Sequence, residues 1–172
     1  MKTIKKGILL LAVALFISGF GFAQSTLKIG YINSSKLMGT MPEADSAQAQ
    51  VKIYATGLQK QMQSMAQEYQ SKVRDYQSNV GTMSDLIRQT KEKEISDLQK
   101  RIQAFQASAD KDVQKKQQEL FQPIIAKVKA AIDAVGKENG YTYILDVSQG
   151  VVLYYAPGND VTSLVKKKLH LK

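Results

Sequence analysis

Between Pro42 and Val135, apolar residues recur every three or four positions for more than ninety residues, with one interruption near Asn79 to Ser84. A stripe of that period marks one face of an α-helix. The first stripe runs through Val51, Tyr54, Leu58, Met62, Met65, Tyr69, Val73, Tyr76 and Val80, and stays in register to Met83 and Ile87. Its ten steps from Val51 to Ile87 cover 36 residues, a mean of 3.6. A strict heptad would average 3.5 and force a left-handed supercoil, so this spacing predicts a fairly straight helix. Asn79, Gly81 and Ser84 mark a reversal, and Ser84 before Asp85 offers a fresh helix cap. The second stripe follows Ile87, Ile95, Leu98, Ile102, Phe105, Ala109, Val113, Leu120, Ile124, Val128, Ile132 and Val135. Two helices joined by so few residues must run antiparallel. The prediction is a long helical hairpin with no bulky core of its own. Its second helix outlasts its first, so the last third must pack on something else, and Pro123 should bend it there.

The flanks read differently. Leu27, Ile29 and Tyr31 alternate with Lys28 and Gly30 and predict a short strand continuing into Ile32 and Asn33. Thr40, Pro42, Glu43 and Asp45 form a helix-start signal, with Thr40 as the candidate cap. Gly140 is the expected stop of the second helix. Tyr141 to Val147 and Val151 to Tyr155 surround the turn Ser148-Gln149-Gly150 and predict a β-hairpin. After Pro157, Gly158 and Asn159, Asp160 can cap a terminal helix with Val161, Leu164, Val165 and Leu169 on its apolar face. Three strands and a short helix make a poor isolated core. Several chains pooling their strands into a shared barrel would pair the edges and leave the hairpins projecting.

Composition narrows the function classes. Lys2, Lys5 and Lys6, the apolar run Ile8 to Ile17 and the small residues ending at Ala23 have the layout of a cleavable secretory signal peptide, residues 1–23. The apolar run falls short of the roughly 20 residues a transmembrane helix needs. There is no cysteine, which removes disulfides, thiolate catalysis, thiolate metal sites and a lipidated amino terminus together. From Glu43 to Glu138 the chain carries 15 basic and 13 acidic residues, a net of +2. The basic excess sits at the chain ends, chiefly Lys166, Lys167, Lys168 and Lys172. Nucleic acid is not an expected partner: no basic stripe interleaves with aromatics, and the chain is read as exported. The one histidine, His170, lies two residues from the end. With no phosphate-cradling glycine loop and no acid pair in a catalytic setting, the expectation is no enzyme, no cofactor and no metal. Asp146 and Asp160 are read as turn and cap residues.

Lys28-Ile29-Gly30-Tyr31-Ile32, the glutamine-rich hairpin, Gly140-Tyr141-Thr142-Tyr143-Ile144-Leu145-Asp146, Val152-Leu153-Tyr154-Tyr155 and Asp160-Val161-Thr162-Ser163-Leu164-Val165-Lys166 follow one another in an order that resembles the Skp/OmpH family of periplasmic chaperones. The resemblance covers essentially everything after the signal peptide. It implies an α+β fold in which a long antiparallel helical hairpin, or tentacle, projects from a small β-rich body that trimerises into a barrel. The body would comprise residues 24–41 and 139–172, and the tentacle residues 42–138 with its tip near 79–84. It further implies a homotrimer in the periplasm that holds unfolded outer-membrane proteins without ATP. Members are markedly basic along the tentacles. The near balance here departs from that and moves the expected grip toward adaptable apolar and glutamine-rich surface.

Strand positions Ile29, Tyr31, Ile144, Leu145, Val147, Val151 and Leu153 are the candidate subunit interface. Met62, Met65 and Met83 are candidate client contacts, because methionine adapts to irregular partners. The plainer account of any one of them is packing of one helix on the other, with contact falling on residues flanking the stripe. Sixteen of the 18 glutamines lie between Gln48 and Gln122, read as a solvated helix face. Lys166 to Lys168 could touch anionic lipid or lipopolysaccharide, although cations also suit the last turn of a helix. Two rival readings remain: a structural coiled-coil adaptor of the envelope, and a peripheral membrane or lipopolysaccharide binder.

Overall fold

The computed structural model describes residues 27–171, so the signal-peptide reading of residues 1–23 lies outside the described residues. In chain order the elements are β1 (Ile29–Ile32), α1 (Ser34–Met38), α2 (Pro42–Asn79), α3 (Asp85–Glu138), β2 (Tyr143–Asp146) and α4 (Thr162–Lys168). The two long helices hold 38 and 54 residues, about 57 and 81 Å at 1.5 Å per residue. The fold is a helical hairpin rooted in a small β-containing body, as the patterning predicts.

Local chemistry explains most boundaries. Pro42 opens α2, where its missing N–H is no loss, and Glu43 and Asp45 sit in the positive first turn. Thr40 is not the cap. Met41 occupies that position without a side-chain bond, while the Thr40 hydroxyl donates back to the Leu37 carbonyl at 2.8 Å. The reason is α1, a short helix the sequence reading missed: its last turn claims Thr40. The available signal was Asn33, whose side chain accepts from the Lys36 N–H at 2.9 Å, followed by Leu37 and Met41 at helical spacing. Ser84 caps α3 as expected, accepting from the Ile87 N–H. Helix α3 then runs through Pro123 without ending. At its far end Gly140 adopts φ +65°, the Gly140 N–H reaches the Lys137 carbonyl and the Tyr141 N–H the Gly136 carbonyl. That is the two-bond Schellman stop that glycine makes cheap.

The predicted β-hairpin is not formed, and this is the main correction. β2 pairs with β1 in parallel, Ile29 opposite Tyr143 through Ile32 opposite Asp146. The other edge of β1 is taken by the backbone around Asp160, also parallel: the Tyr31 N–H donates to Asn159 and the Val161 N–H to Tyr31, both at 3.0 Å. Both neighbours of β1 run the same way, so the chain between Val147 and Asn159 must return along the sheet. Val151 to Tyr155 therefore forms connecting chain and pairs with no strand edge among the described residues.

The core sits where these pieces meet. Ile32, Leu37, Met41, Ala44, Ala47, Ile124, Val128, Ala131, Val135, Val161, Val165 and Leu169 form one buried cluster. The overhanging third of α3 packs here, with α1 and α4 as its partners. Gly30 must be glycine for space: a Cβ there would lie 2.9 Å from both the Tyr141 ring and a Val161 methyl.

Candidate functional site

The arm formed by α2 and α3 is held in register by cross-helix polar pairs. Glu43 meets Lys127 at 2.5 Å near the root. Further out Lys72 meets Glu94 at 2.9 Å, Asp75 meets Lys91 at 2.9 Å, and the Tyr76 hydroxyl donates to Glu92. These partners have numbers adding to between 166 and 170, so the register is constant from root to tip. Lys91 holds the Asp75 carboxyl below its usual range and Lys72 does the same for Glu94, through direct hydrogen bonds. The Tyr76 phenol is pushed up because it donates to a carboxylate.

Between the helices the apolar stripe is covered only in part. Leu58, Met62, Met65, Tyr69, Val73, Tyr76, Val80 and Met83 are all half-buried, as are Ile95, Ile102, Phe105 and Val113 across from them. Leu98, 1 % exposed, is the outer arm's fully buried side chain. Two helices alone cannot enclose a seam, so each seam residue keeps one flank open to water. The three methionines singled out from sequence thus lie in the seam, partly accessible. Met62 borders a groove with Ala55, Leu58, Ala109 and Val113.

Sequence reasoning missed the apolar residues that stand off the seam. Ile53 is 72 % exposed and Ile125 52 %, and Leu86 is exposed beside the tip; Ile87, which both stripes include, is exposed there as well. Ile125 and Phe121 line a shallow groove on α3 with Gln114, Gln117, Gln118 and Gln122. The signal was legible: Ile53 and Ile125 break the stripe register, which a residue needed only for helix pairing would not do.

A second open surface lies on the sheet. In β1, Gly30 and Ile32 face the core while Ile29 and Tyr31 face away; β2 places Tyr143 and Leu145 beside them on the same side. Ile29, Tyr143 and Leu145 are exposed, and Tyr31 is half-buried against Tyr155, ring centres 4.3 Å apart. Ile144 instead packs on the chain's own core, and Val147 is half-buried at the end of β2. Val151 and Leu153 are 80 % and 95 % exposed. A parallel sheet is ordinarily covered on both faces; here one is covered only where Tyr155 meets Tyr31.

Asp146 has the turn role expected of it. Its carboxylate accepts from the Ser34 hydroxyl at 2.5 Å and from the Ser34 and Ser148 N–H groups at 3.2 and 2.9 Å. Partial burial pushes its pKa up, but these donors outweigh that and hold it below the usual range. Asp160 accepts from the Thr162 N–H at 2.8 Å, one position before the formal cap Val161. Lys166, Lys167 and Lys168 lie in the last turn of α4, with Lys168 paired to Glu138 at 2.5 Å. Among the described residues no cluster of three metal-ligating side chains occurs, and no helix is long and apolar enough to cross a membrane.

Comparison with known proteins agrees with this architecture. The chaperone protein Skp of Pectobacterium atrosepticum is 24 % identical over 165 residues, covering 96 % of this chain and 99 % of its own. Skp of Photorhabdus laumondii is 26 % identical over 151 residues, 86 % and 88 % of the two chains. The crystal structure of a Caulobacter crescentus protein, described as an OmpH-like outer membrane chaperone, superposes with a TM-score of 0.71 over 82 % of each chain at 13 % identity, which shows the shared fold. The model of the OmpH-like outer membrane protein family matches residues 28–169, from just before β1 to the residue that caps α4, and the chain belongs to that family.

Proposed function

We propose that this protein is a periplasmic holdase: a homotrimeric chaperone that binds unfolded outer-membrane proteins without ATP and keeps them from aggregating in transit. The observation that carries the reading is the arm. It projects tens of ångströms from its root and exposes half-covered Leu, Met and Tyr side chains along its length, with Ile53 and Ile125 beside them. A client β-barrel in transit presents apolar side chains and unpaired strand edges and needs reversible shielding. Adaptable apolar seams fringed by glutamine amides, which both donate and accept, suit such a chain. The names of the Skp relatives support the same role.

The bare sheet face and the exposed Val151 and Leu153 support assembly. Ile29, Tyr31, Leu145, Val151 and Leu153, with Ile144 and Val147 behind them, would meet neighbouring subunits and root three arms around one cavity. Glutamate at Ile29 and Leu153 should break the assembly; an unchanged molar mass by light scattering would place the interface elsewhere.

The central test dilutes a denatured outer-membrane protein into buffer containing the mature chain and no nucleotide. Suppressed scattering at about one trimer per client, repeated with unrelated clients, is expected. Binding of a single folded partner without suppression would favour the envelope adaptor instead. Replacing Lys166, Lys167 and Lys168 with glutamine should leave holding intact, since contact with anionic lipid or lipopolysaccharide is at most subsidiary.

A further inference from the structure

One groove on the arm carries no charge. Phe121 and Ile125 supply its apolar surface, and Gln114, Gln117, Gln118 and Gln122 line the rest; among the described residues no charged side chain joins them. All four glutamines are exposed. Among the described residues their amides meet no protein partner, whereas those of Asn79 and Asn139 donate to carbonyls of α2 and α3. Elsewhere on the arm the exposed Ile53 is flanked by Lys52 and Lys60. Gln114 also lines the groove around Met62, so the two depressions run on from one another.

The spacing of these residues suits an extended chain. Gln114, Gln118 and Gln122 are four apart, and so are Gln117, Phe121 and Ile125, so they form two rows on one side of α3, each climbing about 6.0 Å per step. A β-strand repeats its edge groups and its side-chain direction every second residue, about 6.6 to 6.8 Å. On one edge every second residue presents both its N–H and its C=O. A glutamine amide offers an acceptor and donors to match. The mismatch of about 0.7 Å per step stays under about 2 Å over three rungs, within the reach of a long side chain. From Gln114 to Ile125 the groove runs about 17 Å, the length of about five strand residues.

We infer that this groove is a backbone-reading subsite: the glutamine row pairs with the free edge of an extended, strand-forming segment of an unfolded polypeptide, while Phe121 and Ile125 cover its apolar side chains. Charge selects that occupant. An acidic peptide or an anionic headgroup would leave its charge facing amides and hydrocarbon, whereas an unpaired strand edge is as neutral as the groove. Such a subsite reads backbone instead of side-chain sequence, which lets one arm take many different chains. The inference rests on the holdase reading and adds the bonds by which the client is recognised.

The test uses the whole mature protein and a fluorescein-labelled peptide of about nine residues alternating valine and threonine, beside a second peptide N-methylated at every interior residue. Fluorescence anisotropy reads the Kd. The plain peptide should bind about tenfold more tightly than the methylated one, and Gln114→Ala with Gln118→Ala and Gln122→Ala should remove most of that difference. Alanine favours helix at these exposed positions, so the variant keeps its fold, which circular dichroism verifies. Gln63→Ala, Gln67→Ala and Gln70→Ala, at equally exposed positions, should change nothing. Molar salt should leave the plain peptide bound, because no ion pair holds it. The inference is overturned if the plain peptide does not bind, if the two glutamine sets weaken it alike, if the first set leaves the methylation difference intact, or if salt abolishes binding. Suppression of client scattering is measured separately, so a holdase without this subsite would show suppression together with one of those outcomes.

Discussion

The root and the outer arm are built from the same helices and held by different forces. At the root, α2 and α3 share a cluster with α1, β1 and α4, and side chains such as Leu37, Met41, Val161 and Val165 have no exposure at all. In the outer arm, Leu98 is the enclosed side chain among the described residues, and the helices are tied instead by surface ion pairs. Burial gives directional uniqueness and large free energies; exposed ion pairs give register at little cost to break. A molecule that must keep one end fixed and the other adaptable needs that division.

Truncations measure the contrast most directly. Leu37→Ala should destabilise the protein by about 3 kcal/mol, because a fully enclosed leucine leaves a cavity, whereas Met62→Ala in the open seam should cost under about 1 kcal/mol. Urea titrations followed by circular dichroism compare the two; similar costs would mean that the arm is packed as tightly as the root. Asp146→Ala comes next, at about 1 kcal/mol once its partial exposure is allowed for, because Ser34 and Ser148 lose a charged acceptor. The folded Asp146 carboxyl lies below its unfolded value. Its contribution is therefore present above the unfolded pKa and fades as pH falls through the folded one, so the gap between wild type and variant should close in acid. A gap that persists in acid would assign the loss to packing. The smallest effect is expected in the outer arm, where molar salt should speed amide exchange near Lys72 to Glu94 and leave the root amides unchanged. No salt response there would mean that the seam, and not the charges, holds the outer arm.

Legibility followed periodicity. The stripes placed α2 and α3 nearly to the residue, and the caps at Ser84 and Gly140 were readable because each answers to local chemistry. Short elements fared worse. Helix α1 is only five residues long and was hidden by the strand before it, despite the Asn33 cap. The hairpin expected of Tyr141 to Tyr155 failed because strand propensity says only that a segment suits a sheet edge, not which edge is free. Methionines in the stripe register could be named as adaptable, but their half-burial depended on two helices being too few to close a seam.

By itself the sequence determined the long helices, their reversal and their near-neutral charge, all of which arise from interactions within a few residues of chain. The tertiary structure alone decided that β1 takes parallel partners on both edges, that Val151 to Tyr155 is left without a strand partner, and that Leu98 is enclosed while the seam around it stays half-open. Those features depend on which distant segments compete for the same edge or the same face, and that competition is settled only when the chain is folded.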